Sequence, residues 1–243
     1  MYVLGIESAT DVCGVSLAHN SVVLDEISRE EKYVHAKLLV PMMQQLLLNQ
    51  KMELAELDGI AISIGPGSFT GLRIGLSVAK GLAYASDIPL IAVSTIKSIA
   101  ENYLKKKRNS AQSVVAVIEI QRNEFAVAQF SREANATICN SEVMLWTQNS
   151  SDIAEDFFTK LSAPIVLCGV GAAKFYEMFF LNRFPHIVCA ENGFMKCSAA
   201  AIALLGEEQL LRNDIAELDA LEPNYMKEFI VKTTTLFQRI QSQ

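Results

Sequence analysis

The sequence predicts an α/β protein made of two similar lobes, and three observations lead to this fold class. Short strand-like runs and longer helix-like segments alternate, and their order begins again after the polar linker at residues 109–112. The string VLGIE at residues 3–7 superposes on VAVIE at residues 115–119. With 51% hydrophobic and 20% charged residues, the 243-residue chain can form a substantial packed core. We therefore predict a βββαβαβα unit that occurs twice, with a cleft between the lobes.

The first unit is predicted to occupy residues 1–108. Its strands are short runs rich in β-branched residues, and its helices repeat apolar residues at intervals of three and four. Ser68 or Thr70 can cap the second helix, Ser94 or Thr95 can cap the third, and Pro41 can kink the first. The predicted strands are residues 2–7, 12–18, 22–27, 60–64 and 89–93, and the predicted helices are residues 34–48, 68–84 and 94–107.

The second unit is predicted to occupy residues 109–212. Residues 213–243 then form a C-terminal segment, which either packs back on the first lobe or stays mobile. The predicted strands of this unit are residues 114–119, 124–131, 136–144, 164–169 and 187–190, and the predicted helices are residues 151–161, 171–180 and 198–212.

Composition and charge argue against several classes of protein. A formal net charge of −6 and a pI near 5.2 disfavour an independent nucleic-acid-binding protein, although the basic run at residues 105–108 could contact phosphate within a larger assembly. No window approaches the roughly 18–20 apolar residues that cross a membrane, and the N-terminus lacks the basic start of a secretory signal. Five widely spaced cysteines without a CxxC pair favour reduced thiols in a cytoplasmic protein.

A Gly-Pro-Gly-Ser turn precedes a strongly apolar predicted helix. Its glycine spacing fits neither the dinucleotide fingerprint nor the P-loop, so a tight turn is the simpler interpretation. Small residues recur at every fourth position of the helix, and a glycine inside a helix costs about 1 kcal/mol relative to alanine. The stripe therefore predicts close packing against the chain's own sheet or against another helix. The turn consists of Gly65, Pro66, Gly67 and Ser68, and the stripe of Gly71, Gly75, Ala79 and Ala83.

Two acids are predicted to end corresponding strands of the two lobes and to face each other across the cleft. The arrangement resembles the actin-like ATPase fold, in which acids at these places hold metal-bound water beside glycine-rich phosphate loops. Glu7 is followed by Ser-Ala-Thr, which is a partial match, whereas Glu119 is followed by Ile-Gln-Arg-Asn without glycine. We therefore interpret both acids as vestigial. An actin-fold ATPase or phosphotransferase that uses Glu7 and Glu119 is the alternative.

The sequence predicts no catalytic residue and no metal site. His19, His35 and His186 lack the spacing of metal ligands, and no histidine base lies near Ser8 or Ser68 in the sequence. A metallopeptidase is a remote alternative.

The first helix is apolar over more than one face. Its methionines are adaptable groups of the kind found on partner-binding surfaces, but the same residues can equally belong to an internal core. The candidate contacts on this helix are Leu39, Met42, Met43 and Leu46.

The string GPGSFTGLRIG at residues 65–75 resembles the TsaB (YeaZ) family of bacterial proteins that serve the synthesis of threonylcarbamoyladenosine in tRNA. Supporting matches are LGIESATDVCGVSL at residues 4–17, the LLVP string at residues 38–41 and EPNY at residues 222–225. The likeness is concentrated in residues 2–100. The chain departs from the family at Glu7, where aspartate is usual, and at residues 119–121, where a DAR-like string is usual.

The resemblance implies a non-catalytic partner subunit. TsaB proteins are similar to a larger paralogue, TsaD, which transfers threonylcarbamoyl to adenosine 37 of tRNA and binds metal through an HxxxH motif. This chain has Thr95 and Ile99 at the corresponding positions, which do not suit a metal. The family pairs with TsaD through the first two helices, and the ATPase TsaE joins the pair.

For this chain the resemblance implies a TsaD-type partner, a TsaE-type ATPase and tRNA contact only through the complex. It also implies a homodimer in isolation and no required cofactor, and it leaves open a nucleotide at a subunit boundary. The expected interface residues are Leu39, Met42, Met43, Leu46, Gly71, Arg73, Gly75, Leu76 and Ala79.

Overall fold

Two mixed β-sheets form the framework of the protein. The structure is a computed structural model and describes residues 1–107, 113–133, 136–150, 157–161, 164–180 and 184–226. The first sheet has the strand order β3-β2-β1-β4-β5. Its strands are β1 (Tyr2–Glu7), β2 (Val12–His19), β3 (Val22–Glu30), β4 (Gly59–Ser63) and β5 (Leu90–Val93).

The second sheet has the order β8-β7-β6-β10-β11, and β9 also pairs with β7. In both sheets the first three strands in the chain form an antiparallel meander, and the next two main strands add in parallel. The predicted strand at residues 136–144 is divided into β8 and β9. The strands are β6 (Ser113–Gln121), β7 (Glu124–Glu133), β8 (Ala136–Cys139), β9 (Met144–Trp146), β10 (Ile165–Cys168) and β11 (Ile187–Cys189).

The two-lobe α/β prediction is therefore confirmed. The matching strand orders fit a duplicated unit, whose origin by duplication stays a prediction.

Five α-helices that lie wholly within the described residues connect or cover the sheets. The side chains of Ser68 and Ser94 accept backbone N–H groups three residues later and so cap α2 and α3, as predicted. Pro41 lies inside α1, which continues as one helix. Residues 157–159 of the predicted helix at 151–161 are helical, and the part before residue 157 lies outside the described residues. The helices are α1 (His35–Gln50), α2 (Phe69–Ser86), α3 (Thr95–Lys106), α4 (Ala172–Phe179) and α5 (Ala199–Leu211).

Helices α3 and α5 are exchanged between the two sheets. Helix α3 follows the first sheet in the chain, but Ile96 and Ile99 pack in a core with Val114 and other residues of the second sheet. Helix α5 is the last helix of the described residues, and Ile202 packs with Val3 and other residues of the first sheet. The predicted domain boundaries stay predictions, but the final helix of the predicted second domain covers the first sheet.

The opposite faces of the sheets carry the remaining helices. Helices α1 and α2 pack side by side on the outer face of the first sheet. Helix α4 and an aromatic cluster around Trp146 and Phe175 cover the second sheet. None of the helices in the described ranges is both long and apolar enough to cross a membrane.

Residues 213–226 form a C-terminal strap that runs beside α2 against its direction. The strap begins where the N–H of Ala216 donates to the carbonyl of Leu90, near the end of α2. Leu218 and Leu221 pack on the first core. The strap reaches the start of α2, where the N–H of Asn224 donates to the carbonyl of Ile64 at 2.7 Å. The predicted tail after residue 226 lies outside the described residues.

Candidate functional site

The cleft between the sheets contains a cavity of about 360 Å³. The turn after β1, the start of α2 and residues around the end of β6 contribute to its walls. The lining side chains include Thr10, Asp11, Tyr33, Phe69, Glu119 and Val170.

Glu7 lies beneath this cleft and does not line it. Its side chain is fully buried at the end of β1, where Oε1 accepts the N–H of Ala9 at 2.7 Å. Oε2 has no hydrogen-bond partner among the described residues. Burial raises the pKa of Glu7 to about 8, against which the hydrogen bonds from Ala9 and Ser63 act only in part. The carboxyl group is therefore mostly protonated at pH 7.

Glu119 does line the cleft, but its charge is already paired. Its carboxylate accepts the N–H of Asn123 at 3.0 Å and forms an ion pair with Lys174 of α4. The expectation that Glu7 and Glu119 face each other across the cleft thus needs correction. Only Glu119 reaches the cavity, because Glu7 points into the interior.

The Gly-Pro-Gly-Ser turn is a structural junction. Gly65 has a φ of 111°, a conformation that favours glycine. Its N–H donates to Oγ1 of Thr95, and its carbonyl accepts the N–H of Thr95. The N–H of Ser68 donates to the carbonyl of Ala9 at 2.6 Å, so this group is used within the chain. The turn therefore connects β4, α2 and α3, in agreement with the tight-turn interpretation.

The small-residue stripe of α2 packs against the loop after β1. A Cβ atom at Gly71 would collide with the carbonyl oxygen of Ser8, and one at Gly75 would collide with the Ser8 side chain. Of the two alternatives for the stripe, the structure shows close packing on the chain's own first sheet and on the loop that follows β1.

Eight of the nine expected interface residues are buried inside this chain. They support α1 and α2 from beneath, because the two helices pack on the sheet and on each other. The structure therefore corrects the prediction that these nine residues form a contact surface, because only Arg73 is exposed. The buried residues are Leu39, Met42, Met43, Leu46, Gly71, Gly75, Leu76 and Ala79.

The outward sides of the same helices present a different set of residues, which we call the α1–α2 face. It includes large exposed apolar groups, with Leu48 71% and Tyr84 80% accessible. A Cβ atom at Gly81 would meet no other atom within 4 Å. Neither helix contains an aspartate or a glutamate, although the chain has 27 of these residues. The face consists of Val40, Leu48, Arg73, Ser77, Gly81 and Tyr84.

Arg73 belongs to a cluster that sequence reasoning missed. Its guanidinium carbon lies 3.8 Å from the centre of the Phe69 ring, and its Nε donates to the hydroxyl of Tyr225 at 2.9 Å. The rings of Phe69 and Tyr225 are themselves 4.9 Å apart. The EPNY string was the only signal for this contact, and it does not show that the strap returns to α2.

Other candidate groups have local roles. His35 is buried, and its Nε2 lies 3.3 Å from the carbonyl oxygen of Val12. Ile99 belongs to a hydrophobic core. All five cysteines are free. Within the described ranges no group of three or more histidine, cysteine, aspartate or glutamate residues could hold a metal ion. Lys107 of the basic run pairs with Glu191 at 3.1 Å, and Arg108 lies outside the described residues.

Solved structures share this fold. YeaZ from Pseudomonas aeruginosa has a TM-score of 0.75 and 22% sequence identity, and the match covers 93% of this chain and 99% of that chain.

Sequence comparison identifies the family. Residues 26–233 match the family model of TsaD, tRNA N6-adenosine threonylcarbamoyltransferase. A transferase of that name from Syntrophus aciditrophicus (strain SB) is 32% identical over 44% of this chain and 37% of its own length. The tRNA threonylcarbamoyladenosine biosynthesis protein TsaB of Escherichia coli (strain K12) is 32% identical over 230 residues, which cover 93% of this chain and 95% of that protein. The chain therefore belongs to the TsaB (YeaZ) family.

Proposed function

We propose that this chain is a non-catalytic subunit that binds and activates a TsaD-type transferase in the synthesis of threonylcarbamoyladenosine on tRNA. The observation that carries the proposal is the α1–α2 face of a TsaB-family protein, which exposes the apolar side chains of Val40, Leu48 and Tyr84 and contains no acidic residue. Exposed apolar patches of this kind mark protein interfaces. The buried residues beneath it hold the two helices in a fixed relation, so the face is formed before a partner arrives.

The state of the cleft acids supports a non-catalytic role. A metal-bound water in the cleft needs a free carboxylate that reaches it, but Glu7 is buried beneath the cleft and mostly protonated at pH 7, and Glu119 is paired with Lys174. The same residues therefore give little support to the alternative of an ATPase or phosphotransferase.

The remaining partner assignments follow from the resemblance and belong to this proposal. A TsaE-type ATPase joins the pair, tRNA is contacted only through the complex, and the chain forms a homodimer in the absence of the transferase. All of this takes place in the cytoplasm, and a nucleotide, where one binds, lies at a subunit boundary.

Gly81→Arg tests the face without disturbing the core. A side chain at this position enters open space, and the loss of glycine favours the helix, so the variant should stay folded. We expect it to abolish co-elution with the cognate TsaD-type transferase in gel filtration, because the arginine prevents close approach of the partner helix.

Gly193→Arg is the matched control. A Cβ atom at Gly193 also meets nothing within 4 Å, but the residue lies beside the second sheet, away from the α1–α2 face. This variant should bind as the wild type does. Equal binding by both variants would show that the partner uses another surface, and a wild-type chain that never co-elutes would contradict the proposed function.

A further inference from the structure

Arg73 is held in one orientation by two contacts, one from α2 and one from the strap. Phe69, one helical turn earlier, supports the face of the guanidinium group, and Tyr225 of the strap accepts the Nε hydrogen bond. The strap is itself fixed, because the N–H of Asn224 donates to the carbonyl of Ile64. An exposed arginine normally loses side-chain conformational entropy when a partner orders it. Much of that entropy is already lost when the chain folds, because the two contacts order Arg73 before a partner binds.

The held arginine still has unused hydrogen-bond donors. A guanidinium group carries five N–H bonds, and the contact with Tyr225 uses the one on Nε. Arg73 is exposed, and among the described residues its two terminal nitrogens have no hydrogen-bond partner. Among the described residues, no carboxylate lies within ion-pair distance of Arg73. Two parallel N–H groups in a fixed plane match the geometry of a carboxylate.

We propose that Arg73 binds the carboxylate of an aspartate or glutamate on the partner protein and thereby selects that partner. This inference rests on the proposed function and names the chemistry that the α1–α2 face requires. A second copy of the chain, docked through the same two helices, offers no carboxylate from either helix. Arg73 therefore favours a different protein whose docking helix carries a carboxylate over pairing of α1 and α2 with the same helices of a second copy.

The surroundings of Arg73 favour a protein carboxylate over an RNA phosphate. Lys80 is the only other cation of α2, and the chain has a net charge of −6. The adjacent strap carries four acids in fourteen residues, which repel a polyanion. These acids are Asp214, Glu217, Asp219 and Glu222.

The test is a titration of the cognate TsaD-type transferase with variants of the full chain at low and high salt concentration. Arg73→Gln should weaken binding about tenfold or more at low salt and should reduce the salt dependence of the affinity. Arg73→Lys keeps the charge without the planar fork and should recover only part of the affinity. Tyr225→Phe keeps the charge and the ring but removes the acceptor. It should weaken binding by about two- to fivefold and leave the salt dependence unchanged.

Arg122→Gln is the control, because it makes the same change in net charge at an exposed arginine in the turn between β6 and β7. It should bind within about twofold of the wild type. Thermal unfolding of each variant checks that it is folded.

Three results would overturn the inference. The first is that Arg73→Gln and Arg122→Gln bind the transferase equally well at low salt. The second is that Arg73→Gln binds the transferase normally while the assembled complex loses affinity for tRNA, which would assign Arg73 to a phosphate. The third is that the wild type binds no transferase at any salt concentration, which overturns the proposed function as well.

Discussion

Glu7 is a carboxylic acid enclosed entirely by the protein at the end of β1. Its neighbours include the Ala9 N–H, which satisfies one oxygen, and nothing described satisfies the other. Burial raises its pKa from 4.5 to about 8. The native state therefore keeps the proton in a range of pH where the unfolded chain has released it.

The raised pKa of Glu7 makes the stability of the protein depend on pH. Because the native state binds more protons than the unfolded state between about pH 4.5 and pH 8, the free energy of unfolding falls as the pH rises through this window. Glu7→Gln keeps an acceptor for the Ala9 N–H and removes the titration. We expect the variant to be more stable than the wild type at pH 8, by at most about 5 kcal/mol, and to lose most of the pH dependence. Urea unfolding at pH 5 and pH 8 measures both quantities, and parallel curves for the two proteins would contradict the buried neutral acid.

At the scale of one element, two glycines of α2 have different environments, one packed against the protein and one facing solvent. Gly75 allows the helix to approach the side chain of Ser8, whereas Gly81 faces open space. The same substitution should therefore have opposite effects at the two positions.

Gly81→Ala should stabilise the protein by about 0.5–1 kcal/mol, because alanine is the better helix former. Gly75→Ala should destabilise it by about 1–3 kcal/mol, because the new methyl group collides with Ser8. Denaturant unfolding gives both values. Adding Ser8→Gly to Gly75→Ala should recover part of the loss, and if the pair recovers nothing, the collision with Ser8 is not the cause.

Local patterns in the sequence were sufficient to predict most strands and helices, but not to predict which of them contact each other in space. The strand and helix periodicities predicted the two sheets and the capped starts of α2 and α3. The same apolar pattern could not distinguish a core residue such as Met43 from a partner contact, since both need a hydrophobic side chain. The contact between Arg73 and Tyr225 joins residues 152 positions apart, and no local pattern specifies such a pair.

At the scale of the whole molecule, the exchange of α3 and α5 makes each sheet depend on a helix from the other half of the chain. Val3 and Ala61 of the first sheet are fully buried in a core with Ile202 of α5. Without α5 this face of the sheet would be open to water.

A chain cut after residue 108 should therefore not fold alone. It contains the predicted first domain but lacks α5, and its α3 has no second sheet on which to pack. We expect no cooperative urea transition for this fragment, whereas a chain that ends at residue 226 should unfold cooperatively. A sharp transition for residues 1–108 would show that the first lobe is independent.

The exchanged helices also determine when the protein can fold during its synthesis. The inner face of the first sheet is complete only after the ribosome has made residue 211, more than a hundred residues after α3. At about 5–20 residues per second, this interval is on the order of ten seconds. Throughout that time the nascent chain presents an apolar sheet to water. Premature termination between the two helices therefore leaves a product prone to aggregation.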